Sequence, residues 1–261
     1  MRFCSLASGS SGNSYYIGTK NTNILIDAGI SGKRICQALE NKVGLVGTQL
    51  NGIFITHEHV DHIQSVGVLA RRFKTPLYAT QGTWQAMEGK IGKVDPELCH
   101  TLDHTGSMEI GDINIEWFPT SHDAHEPVGF LIENGGKTVG LATDTGMINR
   151  QMANALNDVN LLILEANHDE KMLLTGPYPA YLKNRIRSTK GHLSNTTAGE
   201  ALLELVGEKT CGVFLAHLSQ ENNLPSLALD TVGDILVKHK MSYDFNLEVA
   251  PRSQATSCVR L

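Results

Sequence analysis

The chain has 261 residues, 41% hydrophobic and 19% charged, long enough for one large domain or two small ones around a substantial core. A formal net charge of -5 argues against a broadly basic surface that coats nucleic acid, while leaving room for a local basic groove. Five cysteines, at 4, 36, 99, 211 and 258, are odd in number and lack CxxC spacing, which disfavours a disulfide framework and a thiolate zinc site and points to a reducing cytosol. The start has no secretory apolar stretch, and no run of about 18 apolar residues predicts a membrane span.

The first apolar run, "FCSLA", reads as a strand and leads into "SGSSGNS". Gly9 and Gly12 permit tight turns there, so Ser8, Ser10 and Asn13 are candidates to bind phosphate through hydroxyls and backbone N–H groups, or to orient ligands. Strands follow in "YYIG" and "NILIDA", and "GKRICQALEN" has helical spacing at Ile35 and Leu39. The strand "GIFIT" precedes "HEHVDH", and "HIQSVGVLARRF" reads as one helix through Ile63, Val66 and Leu69. Further strands are predicted in "PLYAT", "INIEWF", "VGFLIE", "TVGLATD", "NLLILEA" and "CGVFLAH", and further helices in "TAGEALLELV" and "LALDTVGDILVKHK". Without a Pro/Ser-rich linker, residues 1–261 read as a single α/β domain. Strand-rich stretches before residue 30 and from 105 to 145 predict hairpins, hence mixed sheets.

His57, Glu58, His59, Asp61 and His62 fall within six positions directly behind an apolar strand. A tight turn there can aim His57 and His59 at one cation and Asp61 and His62 at a second, and imidazole with carboxylate suits Zn, Mn or Fe. This stretch resembles the signature of the metallo-β-lactamase fold, a four-layer αβ/βα sandwich with two mixed sheets. The resemblance extends in order along the chain, through Asp27 in "NILIDAG", His122 in "PTSHDAHEPVGF", Asp144 in "GLATDTG" and His217 in "VFLAHLSQENN". It implies two divalent cations: one on His57, His59 and His122, the other on Asp61, His62 and His217, with Asp144 bridging and Asp27 orienting ligands. His125 competes with His122 for its place, and His100, His104 and His239 read as surface or loop histidines.

The strings "EANHDEKMLLTGPYPAYLKNRIRSTKGHLSN" and "SLASGSSGNS" resemble the YycJ/WalJ subfamily, cytoplasmic exonucleases degrading DNA from the 5′ end and suggestive of DNA repair. No insertion between Asp144 and His192 is long enough for the β-CASP domain of RNase J, and no arm resembles that of RNase Z. The resemblance implies a two-metal phosphodiesterase acting on nucleic acid, DNA above all, with a metal-bound hydroxide as nucleophile. The catalytic candidates are then Asp61, His192 and Glu165, with His192, oriented by Glu165, protonating the leaving oxygen. Ser194 and Asn195 follow at a helix start, as anion binders or as an N-cap. Arg185 and Arg187, in "YLKNRIRSTK" behind Tyr178 and Tyr181, are candidates for the nucleic-acid backbone, the alternative being a solvated helix face. Two other classes compete: a small-molecule hydrolase (cyclic phosphodiesterase, lactonase or glyoxalase-type thioesterase) and a metal-stabilised binding module. The paired ligand set disfavours the second, because a structural zinc site needs only one closed cation.

Overall fold

The computed structural model describes residues 1–46, 49–241 and 244–261. Among them two sheets of seven strands lie between layers of helices, a four-layer αβ/βα sandwich. In the first sheet β1 (Arg2–Ala7), β2 (Ser14–Gly18) and β3 (Asn23–Ile26) form an antiparallel meander, flanked at the β1 edge by the short β14 (Val259–Arg260). Beyond β3 the direction changes: β4 (Gly52–Phe54), β5 (Leu77–Thr80) and β6 (Cys99–Leu102) run parallel to it. The second sheet repeats the design. Antiparallel β7 (Gly106–Ile110), β8 (Ile113–Pro119), β9 (Val128–Asn134) and β10 (Lys137–Ala142) lead into parallel β11 (Leu161–Glu165), β12 (Gly212–Ala216) and β13 (Asn246–Val249).

The two-residue period of a strand explains the unbroken apolar runs. Ile24 and Ile26 on β3, with Leu161 and Ile163 on β11, enter the core between the sheets. Their neighbours Leu25, Leu162 and Leu164 face outward, yet are buried again under helices. On the first sheet those helices are α1 (Gly32–Ala38), which ends in a π turn over Leu39–Val43, and α3 (Val66–Phe73), separated from the one-turn α2 (Val60–Ile63). The second sheet is covered by α5 (Arg150–Leu156), α8 (Asn195–Leu205) and α9 (Pro225–Lys238); α4 (Gln81–Met87) adds Met87 to the layer over the first sheet, and α6 (Glu170–Thr175) and α7 (Ala180–Ile186) lie in the loops. Phe54 joins the sheets: it stacks on Tyr78 with centroids 4.5 Å apart and meets the edge of Phe130 at 5.8 Å.

Each predicted strand is present, and the single helix expected over residues 62–73 is broken in two. Ser65 causes the break: its hydroxyl donates to the Ile30 carbonyl at 2.6 Å and its N–H to that of Ala28 at 2.8 Å, leaving its backbone at φ -116° and ψ 2°. The strands not predicted individually, β6, β7, β13 and β14, carry mostly exposed and half-buried residues at sheet edges, so they have no apolar run to detect.

Candidate metal centre

Every candidate ligand sits at or just beyond the carboxyl end of a strand, where an open α/β sheet exposes its crevice. Asp27 follows β3, the "THEHVDH" turn follows β4, His122 lies past β8, Asp144 past β10, and His217 directly follows β12, while Glu165 closes β11. Asp27, Asp144 and His217 adopt left-handed backbone, with φ of 60°, 57° and 55°. That conformation costs a non-glycine residue roughly 1–2 kcal/mol. Three such residues in one crevice mark a place where side-chain direction outweighs backbone comfort.

The side chains gather into one cluster, with His57, His59 and His122 as one set of possible ligands, Asp61, His62 and His217 as another, and Asp144 grouped both with His57 and His62 and with Glu165, His192 and His217. His57 Nε2 and His122 Nε2 approach His59 Nδ1 to 3.0 and 3.3 Å. Asp61 Oδ2 lies 3.6 Å from His62 Nε2, and the ligand atoms of Asp61, His62 and His217 lie within 4.8 Å of one another. Asp144 stands between the sets: Oδ1 is 3.7 Å from His122 Nε2, and Oδ2 is 3.2 Å from His62 Nε2 and 3.3 Å from His217 Nδ1. These residues fit bound metal. The second ring nitrogens of His57 and His122 are taken by Thr56 Oγ1 and the Gly191 carbonyl, which leaves bare lone pairs pointing at each other. Asp144 Oδ2 is moreover buried without a hydrogen bond. A cation among them turns repulsion into coordination.

The electrostatics agree. Burial, reinforced by neighbouring imidazoles, pushes His57 well below the ordinary histidine value and His59 below it, and burial lowers His217 too. Unprotonated rings are what a cation needs. Burial also works against the charged form of Asp144, but His217 and His62 overcome it and hold the carboxyl well below its usual range. His62 is the exception. Burial would lower it, yet Asp144, Asp27 and Asp61 raise it well above the ordinary value. Burial likewise lifts Asp27, so the two partners compete for one proton. We place it on His62 Nδ1, 2.7 Å from Asp27 Oδ2, because Asp27 already accepts from the Thr56 N–H and hydroxyl, both at 2.8 Å. Asp27 thereby fixes the His62 ring with Nε2 facing the centre.

Glu165 and His192 stand beside the second set. The Glu165 carboxylate is fully buried; Oε2 accepts from the Thr145 and Leu193 N–H groups, and Oε1 lies 2.7 Å from His192 Nδ1. Burial would lower His192, but Glu165, then Asp144 and Asp123, lift it to about 9. Gly191 before it is required by packing. A Cβ there would come within 2.2 Å of the Ile186 carbonyl and 2.3 Å of that of Arg185. Gly191→Ala should shift both His192 and the carbonyl that orients His122, lowering kcat/KM by about 10²-fold, as misplacements of around 1 Å do, with an unchanged far-ultraviolet circular dichroism spectrum.

Several assignments need correction. Ser8 is 1% exposed: its hydroxyl lies 2.8 Å from Tyr15 Oη and accepts from the His217 N–H at 2.8 Å, so it positions His217 and cannot reach a substrate. Asn13 is fully buried, its amide against the centre-facing nitrogens His62 Nε2, at 3.1 Å, and His217 Nδ1, at 3.3 Å, so it belongs to the centre itself and not to an exposed phosphate-binding loop. Ser194 caps α8 through the Thr197 N–H and bonds Glu170, and Asn195 exchanges amide hydrogen bonds with Asn223. Both are buried and engaged. Ser10, Arg185 and Arg187 are all exposed, and of the two arginines Arg185 is tied to Asp123. His125 is no rival to His122: its ring turns away to Glu58 Oε1 at 2.9 Å. Thr56 and Gly191 were missed as orienting residues, although each adjoins a singled-out histidine.

The chain matches a beta-lactamase superfamily domain over residues 22–213. It is 41% identical over 258 residues to the exodeoxyribonuclease WalJ of Streptococcus pneumoniae serotype 2 (strain D39), covering 98% of this chain and 96% of that protein. It is 40% identical over 236 residues to the exodeoxyribonuclease YycJ of Bacillus anthracis, covering 90% and 89%. Among solved structures it resembles the metallo-beta-lactamase fold protein YhfI from Bacillus subtilis, with a TM-score of 0.73, 15% identity and 98% of each chain covered. Zn(2+)-bound PqqB from Methylobacterium extorquens gives 0.70 at 16% identity, over 98% of this chain and 99% of that one. At such identities these two structures speak for the fold alone.

Proposed function

This chain belongs to the beta-lactamase superfamily, within its WalJ/YycJ group of exonucleases, and from that premise we propose that it removes nucleotides from the 5′ end of DNA. It is a metal-dependent hydrolase and a nucleic-acid exonuclease. The observation that carries the two-cation form of this reading is Asp144, with one oxygen toward each set of imidazoles. His57, His59 and His122 would hold one cation and Asp61, His62 and His217 the other, Asp144 serving both. Donors of nitrogen and oxygen without thiolate support Zn, Mn or Fe. Such a pair, when bound, supplies Lewis-acid polarisation and neutralises charge on a phosphodiester.

The protein's own groups do the rest. Thr56 holds the His57 ring, Asp27 the His62 ring and Ser8 the His217 backbone. His192, with Nδ1 held by Glu165, offers Nε2 as the atom that protonates the departing sugar oxygen. Glu165 keeps that ring charged and, locked by two backbone N–H groups, cannot rotate away. The basic segment is a candidate contact for the strand. Among the described residues Arg187 and Lys190 are exposed and make no ion pair or side-chain hydrogen bond, and Tyr181 is 75% exposed, available to stack on a base. Lys183 is already used, donating to the Leu174 and Gly176 carbonyls at 2.8 Å. Replacing Arg187 and Lys190 with glutamine should weaken DNA binding and lower the salt slope by about 1 for each phosphate no longer neutralised. Filter binding from low to high salt reads this directly.

Between Asp144 and His192 the structure contains α5, β11, α6 and α7, which supports a single domain without a β-CASP insertion. No helix among the described residues is long and apolar enough to cross a membrane. The five free cysteines support placement in a reducing cytoplasm, where DNA repair would use such an enzyme. The deciding experiment digests matched single- and double-stranded DNA and RNA, blocked at one end or the other, with added Mn or Zn. Shortening of DNA from a free 5′ end is expected. Degradation of RNA alone, or turnover of a lactone or thioester with DNA untouched, would overturn the reading.

A further inference from the structure

Asp123 directly follows His122 and has no part in the ligand pattern above. Its carboxylate is nevertheless turned into the centre. Oδ1 lies 3.3 Å from His122 Nε2, the same nitrogen that faces His59 Nδ1 and Asp144 Oδ1. Asp123 Oδ1 is buried and makes no hydrogen bond. A buried carboxylate oxygen without a donor is unfavourable unless something positive meets it. The partner of the other oxygen explains why the side chain stays. Asp123 Oδ2 is held by Arg185 Nε, from the last turn of α7. Arg185 fixes one oxygen, and the second is thereby presented where the lone pairs of His59 and His122 converge.

We propose that Asp123 is an additional carboxylate donor to the cation held by His57, His59 and His122, and that Arg185 is its positioning residue. The inference rests on the two-cation reading and extends it: the basic helix α7 is tethered to the metal centre through this pair. Arg185 therefore acts on the cation site rather than on a DNA phosphate. The rival is an ordinary ion pair at the rim that no cation senses.

The test is cobalt titration of the metal-stripped protein, followed by the visible d–d absorption and by competition with a chelator, with no substrate present. Wild type is expected to take up two equivalents. Asp123→Asn should weaken one of the two sites by at least the roughly 10- to 100-fold that loss of even an outer partner of a ligand costs, and change its absorption. Arg185→Gln should move both readouts in the same direction by less. Two sites of wild-type affinity and spectrum in Asp123→Asn would overturn the proposal. Should that variant fail to fold, Asp123→Glu decides: an altered spectrum supports the proposal, and an unaltered one at wild-type affinity sinks it. Wild type that binds no cobalt removes the metal centre itself, an outcome distinct from a failure confined to Asp123.

Discussion

Asp144→Asn should reduce nucleic-acid hydrolysis by about 10³-fold or more. That size follows from the several kcal/mol that cations supply to a phosphoryl transition state, at 1.36 kcal/mol per tenfold in rate. The cause is specific. The substitution keeps the volume but removes the charge that both imidazole sets face, and the amide cannot offer two anionic oxygens to two sites. Elemental analysis should show fewer than two cations per chain, and stripping wild type with a chelator should give the same inactive state, reversed by adding metal. Near-normal cation content in Asp144→Asn would remove its bridging role. Because Asp144 is buried among five histidines and occupies left-handed backbone that asparagine tolerates, folding should survive.

His192→Ala should lower kcat by about 10²–10⁴-fold, the range for loss of a positioned general acid, while cation content stays at the wild-type level. Its ring lies next to the centre, 3.8 Å from Asp144, but is held by Glu165 rather than by the ligand sets. Leaving-group chemistry separates a proton donor from a merely structural ring. A nitrophenyl phosphodiester departs without a proton, so the variant should lose far less on it than on DNA. An equal loss on both substrates would refute proton donation. Glu165→Gln should follow the same pattern, because an amide leaves the His192 ring uncharged and less well oriented.

How much of this could be read in advance depends on distance along the chain. The six-residue stretch from His57 to His62 predicts a metal site because its imidazoles and carboxylates are neighbours, and one tight turn suffices to aim them. The apolar runs declared strands buried on both faces, because the two-residue period acts locally. Family likeness carried the ordered set Asp27, His122, Asp144 and His217, but an order is not a meeting place. Helix interruption at Ser65 was invisible, since its cause is a carbonyl thirty-five residues away. So was the fate of Ser8, Asn13, Ser194 and Asn195: polar residues in a glycine-rich loop or at a helix start look like anion binders until their burial is known.

By itself, then, the amino-acid order determined the element types, the α/β layering and the local cluster of histidines and carboxylates, all consequences of side-chain spacing over a few residues. Only the tertiary structure decided which distant side chains converge, that His125 turns to Glu58, and that Arg185 is spent on Asp123. The reason is physical. Those outcomes hang on how two sheets pack and which strand ends they bring face to face, and no short stretch of chain encodes that alone.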